Sequence, residues 1–275
     1  MKRKSIVALV GVLVSVSVIG CKTREDILPG QVTNPPEEVV MTGIPSADGK
    51  DEFLYELQST FKEEAEEEKD GDFVYFKSTI RYPVFEGNYA ENLNGFVAAV
   101  TGTFREELPE AKERAKFDYE DFKTSEYEIS LFPEEEELVV SWLWGREQYQ
   151  TLFTKWFSHS GGAHPNTFCK AYVVNLTDGG QETFESMIQP YGLTTERVVT
   201  FATERIRKEH GEDLFETDSD DTLEEWVYEF TRENQWYFNE KGLVLFANPF
   251  DIAPYAYGMI ECEISYEELE QGLKK

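Results

Sequence analysis

The segment at residues 160–166, with the sequence Ser-Gly-Gly-Ala-His-Pro-Asn, restricts the fold more than any other part of the chain. It lies between two runs rich in aromatic and β-branched residues, 152–157 and 168–176, which are typical of β-strands. Adjacent glycines allow positive φ angles, and the proline that follows fixes its own φ. The sequence therefore predicts a sharply shaped turn between two strands, with the imidazole of His164 held in it.

The N-terminus has the features of a lipoprotein signal peptide. Basic residues 2–4 precede the uncharged apolar run 6–19, which is short for a membrane-spanning helix of about 20 residues. The run ends in Val-Ile-Gly-Cys, which resembles a bacterial lipobox. We expect cleavage after a signal peptide of residues 1–20, lipidation of Cys21, and anchoring to a cell-envelope membrane whose identity and face stay open. An ordinary signal peptide with an incidental cysteine is the alternative.

The rest of the chain divides into three predicted regions. Residues 21–51 contain several prolines and no amphipathic period, and we interpret them as an extended linker. We expect an N-terminal α+β subdomain at 52–178 and a C-terminal α+β subdomain at 179–275. Hairpins mixed with helices, without strict β-α alternation, predict an α+β fold with mixed, largely antiparallel sheets packed with helices.

Four elements of the first subdomain are predicted from spacing. Apolar residues between 53 and 61 follow helical spacing ahead of a glutamate run, which predicts a helix with a solvated end. Residues 73–85 predict a strand. Apolar residues between 93 and 104 predict an amphipathic helix that Pro109 ends or kinks. Alternation at 127–131 predicts a further strand.

The remaining elements are predicted from turn and cap signals. Pro133 and the acids that follow predict a hairpin turn, with a return strand at 138–144. Strands at 149–157 and 168–176 are predicted next, followed by a turn at 177–180. Three helices are predicted after the turn: one at 184–188, one that begins at Thr194 or Thr195, and one at 223–230. The last predicted strands are at 236–238, 243–246 and 259–264.

The charge of the chain limits its partners. It contains 26 basic and 54 acidic residues, for a formal net charge of −28, and removal of residues 1–20 makes it more negative. This sign argues against nucleic acid and against anionic membrane surfaces as partners. The acidic charge is compatible with a basic partner, or it serves only to keep the protein soluble.

The titratable residues predict no reaction. Of the three histidines, His159 and His164 are close in sequence, but no cysteine or carboxylate at metal-ligand spacing joins them on one element. No nucleophile motif, phosphate loop or dinucleotide fingerprint is present in the sequence. We therefore expect no metal, no cofactor and no catalytic residue, and interpret the chain as a non-enzyme.

Two parts of the sequence together resemble a known family. The turn at 160–166 with its following strand and 178–180 is similar to the first half of the RsiV-like or PdaC-like extracellular domains. Residues 236–238, 241–244 and 248–256 are similar to the second half. These are paired domains of unknown function, 4163 and 3298. The resemblance covers roughly residues 73–273 and makes the C-terminal subdomain one of the RsiV-like type.

The resemblance implies an envelope module that binds rather than catalyses. Family members occur on bacterial lipoproteins, and the best-understood one binds lysozyme. We therefore expect a lysozyme-like or other basic protein, or a cell-wall component such as peptidoglycan, as partner. Other members are fused to peptidoglycan deacetylase domains, so an enzyme or accessory subunit of peptidoglycan modification is an alternative. A structural envelope lipoprotein without a soluble ligand is a second one.

The same two segments supply the candidate binding residues, which are Gly161, Gly162, His164, Phe250, Tyr255 and Tyr257. If the two loops meet, they form an aromatic surface with one imidazole. If they lie at opposite ends of the sheet, each is better explained as a device of the local fold. We expect both glycines to need conformations closed to other residues, and His164 to pack against the neighbouring strand or the second loop.

Two cysteines remain besides Cys21. Cys169 and Cys262 each lie in a strand of one of the family-like segments, where they could face each other across the sheet. An oxidising compartment permits a disulfide between them. Cysteine is also a common small core residue, so two buried thiols are the alternative.

Overall fold

Long strands with alternating buried and exposed side chains build the larger of two sheets in the computed structural model, which describes residues 38–42, 56–125, 132–146, 148–216 and 220–274. The sheet has the order β1-β2-β3-β4-β5-β6, in which β1 is a short edge strand. The strands are β1 (Glu38–Thr42), β2 (Glu56–Asp70), β3 (Phe73–Gly87), β4 (Glu134–Arg146), β5 (Tyr149–His159) and β6 (Asn166–Asn175).

One helix explains the single parallel pairing among the described strands of this sheet. Strands β3 and β4 pair parallel, whereas the other neighbours pair antiparallel. A parallel pair needs a crossover connection, and helix α1 (Ala90–Thr124) supplies it. Its apolar side chains pack on the sheet with Phe76, Ile80, Leu138 and Leu152 and form the first core.

The second part of the chain packs four helices with a small antiparallel sheet. The helices are α2 (Phe184–Ile188), α3 (Thr195–His210), α4 (Asp220–Arg232) and α5 (Tyr266–Glu270). The strands, in the order β7-β8-β9, are β7 (Trp236–Phe238), β8 (Gly242–Ala247) and β9 (Ile260–Ser265). The α+β fold with mixed, largely antiparallel sheets is thus confirmed.

Strand β8 lies at the centre of the second part and is buried on both faces. Leu243 and Leu245 belong to a core shared with α3 and α4. Phe246 points the other way, because side chains alternate along a strand, and it packs against Cys169 and Ala171 of β6. The small sheet therefore lies between its helices and the larger sheet.

The disulfide that the sequence permits between Cys169 and Cys262 does not form, for the same geometric reason. Cys262 faces the helices, with its Sγ 4.0 Å from the carbonyl oxygen of Ala202 in α3. Cys169 packs on the opposite face of the small sheet, beside Phe246. Both cysteines are buried thiols, and burial raises the pKa of Cys262 to about 12. The alternative of two core thiols is the one that the structure shows.

The helix predicted from residues 53–61 is also wrong where the structure describes it. From residue 56 the chain forms β2, which pairs with β3 from Leu57 to Asp70. Within the glutamate run, Glu64 and Glu66 accept hydrogen bonds from Arg105 and Lys112 of α1. Long-range pairing and cations on another element thus override the local helical pattern.

The hairpin turn predicted at Pro133 does not form. The acids after it begin β4 instead, with Glu134 and Glu136 buried and paired in register with Phe76 and Ser78 of β3. The strand predicted at 127–131 lies outside the described residues. Helix α1 does not end at Pro109 but continues to Thr124.

Most of the later elements are confirmed. Strands β5, β7 and β8 and helices α2 and α4 cover the predicted ranges, and β6 and β9 each miss one end of theirs by a single residue. Thr194 is the residue that caps α3, through a hydrogen bond from the Arg197 N–H. Residues 38–42, predicted as part of the linker, form the edge strand β1. The proposed signal peptide and Cys21 lie outside the described residues. Among the helices that the structure describes, none is both long and apolar enough to cross a membrane.

Candidate functional site

Two loops that are far apart in sequence meet in the structure. One is the turn between β5 and β6, and the other is the loop between β8 and β9. The imidazole of His164, from the turn, stacks on the ring of Tyr255, from the loop, with 4.2 Å between centroids and 11° between planes. The ring of Phe250 lies 5.9 Å from that of His164. The predicted packing of His164 against the second loop is confirmed.

A side-chain amide fixes the second loop to the larger sheet. The backbone N–H of Cys169 donates to Oδ1 of Asn248 at 2.6 Å, and Nδ2 of Asn248 donates to the Cys169 carbonyl oxygen at 3.3 Å. Asn248 therefore pairs with β6 as a backbone amide of a neighbouring strand would do. Because Cys169 closely follows His164 in the chain, this contact sets the distance between the two loops.

A half-buried carboxylate closes the start of the same loop. Oδ2 of Asp251 accepts from the Asn248 N–H at 2.7 Å and from Nε2 of Gln235 at 2.6 Å. Burial raises the pKa of the Asp251 carboxyl, and these hydrogen bonds oppose that shift. The tight turn from Asn248 to Asp251 projects the intervening Phe250 outward.

Phe250 is held in an unusual conformation. Its φ is +80°, a region that bulky side chains rarely occupy, and its side chain is 57% exposed. Strained residues of this kind cluster at functional sites. The ring of Phe215 packs edge-on against it at 5.4 Å, and the Phe215 N–H donates to the Ile252 carbonyl oxygen. Sequence reasoning missed Phe215, which lies after α3 in no periodic pattern.

The two glycines of the turn differ. Gly161 has a φ of +87°, as predicted. The prediction for Gly162 is wrong, because its φ lies outside the left-handed region and an added Cβ would meet only the His164 carbonyl oxygen at 3.7 Å. Nδ1 of the exposed His164 donates to the Pro165 carbonyl oxygen at 3.0 Å. The turn thus fixes the ring of His164 through its own backbone.

We call the four neighbouring rings of His164, Phe215, Phe250 and Tyr255 the aromatic patch. Tyr257, the remaining predicted residue, instead packs against the core of the second part. The acidic residues Glu212, Asp213 and Glu216 lie on the same segment as Phe215. The patch itself offers flat ring faces. In the ranges that the structure describes, no group of three histidines, cysteines or carboxylates is placed to hold a metal ion.

A protein-family model matches the part of the chain that carries three of the four rings of the aromatic patch. Residues 193–267 match the family model described as "Protein of unknown function (DUF3298)". This domain extends from just before α3 into α5, so it contains Phe215, Phe250 and Tyr255 but not His164. No curated protein matches the chain.

Two solved structures described as members of the DUF3298 family are similar to this chain in different degrees. A DUF3298-family member from Bacteroides fragilis is 15% identical with a TM-score of 0.53, over 78% of this chain and 92% of that one. A DUF3298-family protein from Pseudomonas aeruginosa is 15% identical with a TM-score of 0.39, over 78% of this chain and 91% of that one. The first likeness shows a shared fold over the part of the chain that it covers, and nothing about activity.

Proposed function

We propose that this chain is a cell-envelope lipoprotein, anchored through a lipid on Cys21, whose folded part is a non-catalytic binding module for a basic protein such as a lysozyme. The aromatic patch carries the proposal, because two separate loops are fixed together to present exposed rings and one of them is held at a strained φ. In this proposal the larger sheet and α1 form the companion domain of the RsiV-like pair.

The chemistry of the patch fits a protein partner with protruding lysine or arginine side chains. Aromatic rings in a rigid setting supply most of the free energy at protein interfaces. A lysine or arginine that lies on the face of Phe250 or Tyr255 gains a cation–π interaction. Glu212 and Glu216 are exposed on the segment that carries Phe215, and their charge would attract the same cation.

The charge of the whole chain supports the same class of partner. A formal net charge of −28 attracts cationic proteins from a distance and speeds their encounter. Because this attraction acts through solvent, it weakens as the ionic strength rises. Steering by net charge is not specific, so specificity would come from the aromatic patch.

The test measures lysozyme binding by the full chain in detergent. We expect Phe250→Ala and Tyr255→Ala each to weaken binding about 30-fold, the loss typical of a central aromatic contact. Phe117→Ala is the matched control, because Phe117 is 70% exposed on α1 and lies outside the patch. Cytochrome c, a basic protein unrelated to cell walls, controls for attraction by charge alone.

Two results would contradict the binding proposal. If all three variants bind lysozyme as the parent chain does, or if cytochrome c binds equally well, the patch is not a specific site. Turnover of a muropeptide that is lost in His164→Ala would instead support the enzymatic alternative.

The anchor is tested separately. In a bacterial host that processes lipoproteins, Cys21→Ser should release the protein from the membrane fraction or leave the precursor unprocessed. Unchanged fractionation together with normal maturation would refute lipidation at Cys21 and would leave the aromatic patch untouched.

A further inference from the structure

Helix α1 changes its way of contacting the sheet at Pro109. Before the proline, the helix buries large apolar side chains, among them Leu93, Val97, Phe104 and Leu108. After the proline, the buried residues of the helix are Ala111 and Ala115. We call residues 110–124 the arm. Because alanine buries only one methyl group, the arm gains much less from apolar burial than the half before it.

Ion pairs replace apolar contacts along the arm. Lys112 Nζ lies 2.6 Å from Glu66 Oε2 of β2, and Lys123 Nζ lies 2.7 Å from Asp70 Oδ2 at the end of the same strand. These four side chains are partly exposed, so salt screens their attraction. One aromatic contact adds to them, because the ring of Tyr119 stacks on Phe73 and Tyr75 at 5.2 and 5.3 Å.

The central ion pair of the arm joins an exposed cation to two buried carboxylates. Arg114 donates to Glu134 and lies 3.9 Å from Glu136, while the side chains of the two glutamates are only 3% and 5% exposed. Glu136 also accepts hydrogen bonds from Trp156 Nε1 at 2.7 Å and Ser158 Oγ at 2.8 Å. The sheet therefore holds one carboxylate more than this guanidinium neutralises.

Separation of the arm would hydrate these carboxylates. Burial raises the pKa of Glu134, which shows that its charged form is held at a cost in the closed arrangement. The attraction of Arg114 offsets that cost, and buried ion pairs of this kind often contribute little net stability. Detachment of the arm, which breaks this ion pair, therefore costs less free energy than the short contacts suggest.

A natural hinge lies where the two halves of α1 join. Pro109 has no N–H, so the carbonyl oxygen of Arg105 lacks its usual helical donor and the helix is weakened there. Beside the proline, a groove of about 340 Å³ separates the helix from β2 and β3. Its lining is mixed: the charged and polar residues Glu64, Glu66, Ser78, Arg105 and Lys112, and the apolar residues Ala65, Ile80, Leu108 and Pro109. Open space thus interrupts the close packing of the helix on the sheet at this point.

We propose that the arm is a releasable element, held on the sheet by charge, that detaches as a unit about Pro109 while the first half of α1 stays packed. Release turns Glu66, Asp70, Glu134 and Glu136 from partners of the arm into a solvent-facing acidic row. This proposal goes beyond the binding function and does not depend on it.

Hydrogen exchange of the full chain tests the arm, with peptides that report separately on residues 90–108 and 110–124. Between about 20 mM and about 500 mM NaCl, amide protection of the arm should fall about tenfold. Screening of its exposed ion pairs favours release, and a released helix as short as the arm is only marginally stable in water, so its amides exchange. Protection of residues 90–108 should stay constant, since apolar packing holds them. Equal protection of both halves at both salt concentrations would overturn the proposal.

Variants identify the contacts that hold the arm. Lys112→Met and Lys123→Met should each speed exchange in 110–124 without changing 90–108. Arg232→Met is the matched control, because Arg232 makes an exposed pair with Glu229 on α4. If the two lysine variants leave the arm as protected as the control does, charge does not hold it. If they lower protection in both halves equally, the arm opens only with global unfolding and is not a separate unit.

Discussion

The rings of His164 and Tyr255 lie 4.2 Å apart and nearly parallel, although one belongs to the turn before β6 and the other to the loop after β8. This stack joins two parts of the chain that the family comparison treats differently, because the matched domain of residues 193–267 includes Tyr255 but not His164. The candidate site therefore depends on how the second part of the chain docks on β6.

The turn at Gly161 and Gly162 offers a matched pair of substitutions. Gly161→Ala should lower the free energy of unfolding by about 1–2 kcal/mol, because alanine is strained at a φ of +87°. An added Cβ there meets only Phe132 Cδ2 at 4.0 Å, so the loss comes from the backbone and not from a clash. Gly162→Ala should be within about 0.5 kcal/mol of the parent.

Urea denaturation measures both glycine variants. Equal losses for the two would show that the turn differs from the described geometry. A loss of stability in Gly162→Ala alone would show that the strained position is Gly162 and not Gly161.

Asn248 should carry the docking of the aromatic loop. In Asn248→Ala the buried N–H of Cys169 loses its acceptor, which costs about 2 kcal/mol of unfolding free energy. The loop should also lose its position relative to His164, so lysozyme binding should weaken as well. Asn166→Ala, at an exposed position at the start of β6, is the control and should change neither quantity.

A variant of Asn248 that keeps full stability would argue against this role. Denaturation midpoints with an unchanged slope give the stability. Near-ultraviolet circular dichroism reports the packing of the aromatic side chains. A change in Asn248→Ala that is absent when Tyr255 is also replaced would assign the change to the displaced loop.

Local signals in the sequence were sufficient where a structure depends on neighbouring residues. The short helix α2 matches its predicted range, and the cap at Thr194 uses a hydrogen bond to a residue three positions on. The turn at Gly161 is likewise local, because glycine permits the positive φ and Pro165 fixes its own φ whatever surrounds them. Such elements could be predicted without knowledge of the fold.

Elements that depend on contacts with residues far away in the chain could not be predicted from the sequence. The glutamates of β2 look solvated and helical in isolation, but β3 on one side and the cations of α1 above them make a strand favourable. Glu134 resembles a turn residue until it is paired with Phe76 and neutralised by Arg114. Cys169 and Cys262 cannot be assigned to opposite faces before the order of the layers is known.

The residues of the candidate site likewise divide into those that local sequence signals predict and those that they do not. His164, Phe250 and Tyr255 could be named from the sequence, because glycine and proline mark their loops. Phe215 could not, since only the packing of the segment after α3 brings its ring to Phe250. The positive φ of Phe250 also has no sequence signal, because no glycine or asparagine stands at that position.

Acid should weaken the second part of the chain through Glu268. Arg205 donates to its carboxylate, and this hydrogen bond holds the pKa of Glu268 below the ordinary 4.5 despite partial burial. The stability that follows is fully present above the unfolded pKa and is lost as the pH falls through the folded pKa. The difference in unfolding free energy between the parent and Glu268→Gln should therefore shrink from about pH 6 to about pH 3.

Glu229→Gln is the control for this pH dependence. Glu229 pairs with Arg232 at an exposed site on α4, where an ion pair contributes little at any pH. Glutamine at position 268 can still accept the N–H of Ser265, so the cap of α5 is kept while the charge is lost. A difference that stays constant across the pH range would show that the ion pair with Arg205 does not stabilise the fold.

The strain at Phe250 can be separated from the contacts of its ring by two substitutions. Phe250→Ala and Phe250→Gly both remove the ring and with it the contacts to His164 and Phe215. Glycine alone can adopt a φ of +80° freely, so Phe250→Gly should be about 1 kcal/mol more stable than Phe250→Ala. At an unstrained position the order is reversed, because glycine loses more entropy on folding. Both variants should bind lysozyme equally weakly, since binding depends on the ring. Alanine as the more stable variant would show that the backbone at Phe250 is relaxed, and strain could then no longer be counted among the signs of function.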